Sequence, residues 1–194
     1  MKKRKRLLWI LIITGAAALA AALVFVSWTK GAFLPSWIQW KEKSLDVSGM
    51  AGGSGPDAIT LDRRQVNVIY NSESVWQSPD NVLVQDFLWC DIDHDEENEL
   101  ILLCWRIGRY GYARPFWVDR DEFAWSQHIY IYDWQNETIH PVWMASDIGM
   151  DALSFEFNDT DRLIITETDG RQTAWDWMSW GLSMLREVRA GSEG

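Results

Sequence analysis

The stretch CDIDHDEENEL, residues 90–100, sets Asp91, Asp93 and Asp95 at every second position and follows them with Glu99. A hard cation such as Ca²⁺ takes about six to eight oxygen ligands, and a tight turn with alternating carboxylates can aim several at one point. Two readings stay open: a Ca²⁺ cage built from Asp91, Asp93, Asp95 and Glu99, or a solvated acidic turn capping a hairpin. Repulsion does not decide between them. Two carboxylates about 5 Å apart in water repel by only about 0.8 kcal/mol, and salt lowers that further.

A second stretch, IGRYGYARPFWVDRDEFAWSQ at 107–127, mixes Arg109, Arg114 and Arg120 with Tyr110, Phe116, Trp117 and Trp125. Planar rings stack on sugars or apolar ligands, and guanidinium forks grip carboxylates or phosphates bidentately. The stretch is long for a hairpin turn among short ones, and long loops in compact domains tend to carry function. It is the expected binding surface. The alternative is a lid whose rings fold back while its arginines pair with Asp119, Asp121 and Glu122.

Catalysis finds little support. His94, His128 and His140 sit in separate segments with no His-Glu-x-x-His spacing. Ser126, His128 and Asp133 form a triad only on paper, and neither a nucleophile elbow nor a phosphate-cradling glycine loop is present. The expectation is a protein that is not an enzyme.

The elements that would position these residues read as strands. VNVIYN (66–71), NVLVQDFLWC (81–90), ELILLCWRIG (99–108), HIYIYDW (128–134), TIHPVWMA (138–145), ALSFEF (152–157), RLIITET (162–168) and QTAWDWMSW (172–180) are rich in β-branched and aromatic residues. Asp169-Gly170 is the strongest hairpin signal between them. In HIYIYDW, Ile129, Ile131 and Asp133 fall on one side and Tyr130, Tyr132 and Trp134 on the other. Bulk on both sides predicts a strand covered on both faces. The ten tryptophans after position 41 are mostly core material on this reading. If 81–90 pairs with 99–108 across the acidic turn, Cys90 and Cys104 lie roughly 15 Å apart, too far for a disulfide.

The predicted class is all-β, an antiparallel meander of blade-like sheets or a sandwich, preceded by one N-terminal transmembrane helix. A closed propeller needs about four to eight blades of about 40–45 residues, and 60–188 supplies about three at most. A compact sandwich of two blade-like sheets is therefore preferred over a ring completed by several chains.

The N-terminus supplies the anchor. Lys2, Lys3, Arg4, Lys5 and Arg6 precede LLWILIITGAAALAAALVFVSW, residues 7–28, which carry no charge. As a helix this run spans roughly 33 Å, against about 30 Å of hydrocarbon. A cleavable signal peptide competes through the alanines at 20–22, but the apolar run continues past them. The basic cluster predicts a cytoplasmic N-terminus and an extracytoplasmic body at the cell membrane. The expected organisation is a basic tail (1–6), the membrane helix (7–28), an interfacial segment and Gly/Ser linker (29–58), the β domain (59–188) and a flexible end (189–194). Past residue 6 the chain holds 13 basic against 28 acidic residues, a balance that repels nucleic acid.

The stretch VLVQDFLWCDIDHDEENELILLCWR resembles the FG-GAP/VCBS repeat, whose strand–loop–strand signature is Asp-x-Asp-x-Asp-Gly followed by an acidic residue and an apolar strand. That resemblance implies a propeller-blade loop that often carries calcium. Glu96 stands where the repeat has glycine, and only one convincing copy occurs. The order of RYGYARPFWV, WSQHIYIYDW, WMASDIG and TAWDWMSWGL, over about residues 80–182, is similar to an extracytoplasmic domain in some poly-γ-glutamate (CapA-type) capsule-synthesis proteins. This implies an accessory role in the cell envelope near an anionic polymer. The expected function is a membrane-anchored binding module for an envelope polymer or a protein partner. A structural subunit of a membrane assembly is the alternative, and a cell-surface hydrolase or transferase the remoter one.

Overall fold

A computed structural model describes residues 2–48, 55–108, 123–145, 148–178 and 181–188. The chain divides into two units, Met1–Ser36 and Trp37–Gly194.

The first unit is built on helix α1 (Lys2–Thr29). Its segment Trp9–Thr29 is long and apolar enough to cross a membrane, and side chains such as Ile12, Leu19 and Phe25 point outward without protein cover. Length and composition are compatible with a membrane anchor or a signal sequence. The helix stops at Gly31, which adopts φ of 73°. The Gly31 N–H donates to the Trp28 carbonyl and the Ala32 N–H to the Ser27 carbonyl, the paired closure that satisfies a helix end when glycine turns left-handed.

The second unit is all-β, as the alternation predicts. Strands β1 (Lys43–Asp46), β2 (Ala58–Asp62), β3 (Gln65–Tyr70) and β4 (Glu73–Gln77) form the first sheet. Strands β5 (Val82–Cys90), β6 (Glu99–Ile107), β7 (Trp125–Gln135) and β8 (Thr138–Met144) form the second. Strands β9 (Ala152–Phe157), β10 (Leu163–Glu167), β11 (Gln172–Trp177) and β12 (Leu182–Val188) form the third. Each sheet is an antiparallel meander in chain order, and no sheet closes into a barrel among the described residues. The expectation of two blade-like sheets is corrected to three, because β1, β2, β4 and β12 add four strands that lack a strong sequence signal.

The segment 29–58 is likewise not all interface and linker. Trp37 packs its ring on Trp105 at 5.8 Å, and the Arg64 guanidinium lies 4.0 Å over the ring of Trp40. Strand β1 pairs with β2, Leu45 opposite Ile59. Lys43 of β1 reaches the Asp86 carboxylate and the Phe87 carbonyl, both at 2.5 Å, with its ammonium 4.4 Å from the Phe87 ring. Residues 47–57 therefore connect two paired strands; 49–54 of them lie outside the described residues.

The second sheet sits between the other two, which accounts for the bulk on both faces of its strands. Leu100, Leu102, Cys104, Tyr130 and Tyr132 pack with Ile59, Leu61, Val66 and Val68 of the first sheet. Ile101, Leu103, Ile129 and Ile131 pack with Phe155, Leu163 and Ile165 of the third. The outer sheets end in polar rows. Thr60, Asn67 and Ser74 alternate with the core residues on the first, where the Ser74 hydroxyl bonds the Asn67 side chain. Ser154, Thr166 and Gln172 occupy the corresponding face of the third, and Gln172 donates to Thr166 at 3.1 Å.

Cys90 pairs with Glu99 and Cys104 with Val84 in the β5–β6 register, and both thiols are free and buried.

Candidate functional site

The acidic hairpin joins β5 to β6. Ile92 anchors it by burying its side chain in the second core. Asp91 organises the bend, accepting the Asp95 N–H at 3.1 Å and the Glu96 N–H at 3.0 Å with its two carboxylate oxygens. Asp95 accepts the Glu97 N–H at 2.9 Å, and Glu99 accepts the Ile92 N–H at 2.9 Å. His94 and Glu96 take positive φ of 65° and 74° to close the loop. The His94 ring then reaches Asp176 of β11, 3.2 Å from Nε2 to Oδ1, which fastens the loop to the third sheet.

Carboxylate oxygens of Asp91, Asp93 and Glu99 all lie within 4.8 Å of one another. Oxygens at about 2.3–2.6 Å from one Ca²⁺ are separated by no more than about 5 Å, so this spacing fits a shared cation. Asp93 Oδ1 is buried without a hydrogen-bond partner. Burial, with the charges of Asp95, Asp91 and Asp133 adding, raises the Asp93 pKa above the ordinary carboxylate value. Glu99 is pushed up to about 8, first by burial and then by Asp93, Asp95 and Asp91, although the Ile92 N–H works the other way. The fourth predicted ligand, Asp95, is not part of the converging set; its oxygen is turned to the loop backbone. Asp133 and Asp176 border the loop from β7 and β11, and neither was marked by spacing.

A cleft of about 440 Å³ opens where β6 ends and β7 begins, between the second and third sheets. Trp105, Trp125, Gln127, Asp151, Glu167 and Asp169 are among its lining residues. Its base is a buried polar network. Gln85 is the extra residue of a bulge in β5, and such a residue is re-aimed out of the ladder. Gln85 Oε1 accepts from Trp105 Nε1 at 3.0 Å and Gln127 Nε2 at 2.9 Å, while its own Nε2 donates to the Leu153 carbonyl at 2.9 Å. Gln127 also grips both backbone groups of Ala152, each at 2.8 Å.

Of the predicted binding residues, Trp125 lines this cleft. Arg109, Tyr110, Arg114, Phe116, Trp117 and Arg120 lie outside the described residues. Sequence reasoning missed Trp105, Gln127, Asp151, Glu167 and Asp169, which three strands and two turns bring together. The available signal was a glutamine beside apolar residues, Gln85 inside its predicted strand and Gln127 one position before its own.

Ser126 Oγ lies 3.0 Å from His128 Nε2, and His128 Nδ1 lies 2.9 Å from the Ala145 carbonyl. His128 is 2% exposed. Asp133 alternates to the opposite face of β7, so the paper triad does not assemble.

No protein-family model, curated protein or solved structure matches the chain.

Proposed function

We propose that this protein is a membrane-anchored binding module whose β unit lies outside the cytoplasm and engages an envelope polymer or protein partner at the cleft where β6 ends and β7 begins. The observation that carries the reading is the cleft itself. Two indoles, Trp105 and Trp125, line it at that junction. Its base is fixed by the bonds of Gln85 and Gln127, so the walls are set before a ligand arrives. The basic residues ahead of the apolar helix supply the orientation. The test is capture of envelope polymers by the full chain in detergent. Trp125→Ala should abolish capture at an unchanged melting temperature; capture that survives the change sinks this reading.

The acidic loop supports a second role for the same module, a Ca²⁺ site at Asp91, Asp93 and Glu99. The carrying observation is the convergence of their oxygens around an Asp93 oxygen that has no other partner. Here the cation would brace the β5–β6 hairpin. Millimolar calcium should raise the melting temperature and Asp93→Asn should remove the rise; no response to calcium rejects the site.

A further inference from the structure

The chemistry of the cleft narrows its ligand. Trp105 is held on two sides, by its N–H bond to Gln85 and by ring contact with Trp37, so its indole is a fixed wall. Three carboxylates accompany the indoles. Glu167 is answered by Arg171, whose guanidinium lies 2.7 Å away and also approaches Glu187 at 3.5 Å. Asp151 and Asp169 are exposed; Asp169 accepts the Arg171 N–H at 2.9 Å and lies near that guanidinium, whereas Asp151 forms no ion pair with a basic side chain among the described residues. No lysine or arginine is among the described lining residues. Past residue 6 the chain as a whole carries 13 basic against 28 acidic residues, which favours cations over anions, although the stretch joining β6 to β7 balances Arg109, Arg114 and Arg120 against Asp119, Asp121 and Glu122.

Indole faces attract ammonium groups, and carboxylates accept their N–H bonds with charge assistance. We propose that this cleft binds a ligand bearing an alkylammonium group, with the indoles against its carbon face and Asp151 and Asp169 at its charge. The inference rests on the cleft being the binding surface and adds the ligand's sign and chemistry. An amino sugar and a polyamine both present that group.

The experiment uses the full chain in phosphatidylcholine nanodiscs and titration calorimetry with four probes: a glucosamine tetramer, its N-acetylated counterpart, spermidine and poly-γ-glutamate. The glucosamine tetramer should bind at least tenfold more tightly than the N-acetylated one. Asp151→Asn, and the double change with Asp169→Asn, should each weaken it at an unchanged melting temperature, the double change by tenfold or more. Spermidine binding that falls with the same variants assigns the recognition to the ammonium alone; binding of the tetramer without spermidine assigns it to a ring-borne ammonium. Equal binding of the acetylated tetramer, binding indifferent to the aspartate changes, or no binding of either amine overturns the proposal. Poly-γ-glutamate binding that Trp125→Ala abolishes would overturn it too, while leaving the cleft as the module's binding surface.

Discussion

Gln127 donates through Nε2 to Gln85 Oε1 at 2.9 Å, and the two side chains together bridge β5, β6, β7 and β9. Both are almost fully buried, at 3% and 1% exposure. Gln127→Ala would strand the backbone N–H of Ala152 and one lobe of the Gln85 oxygen, and would leave the Ala152 carbonyl with only the 3.3 Å bond from Gln85 Nε2. Buried groups left without partners cost about 1–3 kcal/mol each, so the expected loss is about 2–4 kcal/mol, read from the urea midpoint. A loss below about 1 kcal/mol would mean that water replaces the amide.

Glu96 occupies the bend at φ of 74°, a conformation that glycine adopts without steric cost. A left-handed conformation costs an L-residue about 1–2 kcal/mol, partly offset by the greater unfolded-state freedom of glycine. Glu96→Gly should therefore stabilise the β unit by about 0.5–1 kcal/mol in chemical denaturation. Destabilisation would show that the Glu96 side chain contributes more than its backbone conformation costs.

Glu99 gives a pH dependence in protein treated with a chelator. Its pKa rises from 4.5 to about 8 on folding, chiefly through burial. Between those values the native state holds a proton that the unfolded state has released, so stability is full at the acid end and declines as pH climbs toward 8. The melting temperature of the wild type should fall across this window more steeply than that of Glu99→Gln. Parallel curves would exclude Glu99 as the source.

The thiols should be inert while the protein is folded. Burial, with the charges of Glu99 and Asp91 adding, pushes Cys90 up to about 12, and burial raises Cys104 as well. Thiolate is the reactive form, so neither cysteine should be alkylated at pH 8 without denaturant, and both should be alkylated with it. Mass spectrometry counts the labels. Rapid labelling of Cys104 in native protein would contradict its place in the first core.

Alternation made the central sheet legible. The tyrosines and isoleucines of HIYIYDW divide between two cores as their period requires. Strands such as KSLD and AITLD were not legible, because only their pairing with each other and with β3 makes strands of such short, weakly patterned runs. The same contrast holds at the sites. Spacing marked Asp91, Asp93 and Glu99, because the carboxylates of one hairpin loop are close in the chain. It could not separate Asp95, whose carboxylate bonds the neighbouring Glu97 N–H. The cleft depends on the third sheet meeting the second, a relationship that local pattern does not encode.

Among the described residues, every strand in the β unit pairs only with its neighbours in the chain. A polypeptide emerging from its N-terminus during synthesis would thus complete each four-strand layer in turn, with no early strand left waiting for a distant late partner. Short-range pairing of this kind favours rapid assembly and shortens the exposure of sticky edges. Only the middle layer packs on both faces, so its second core closes when the C-terminal layer arrives.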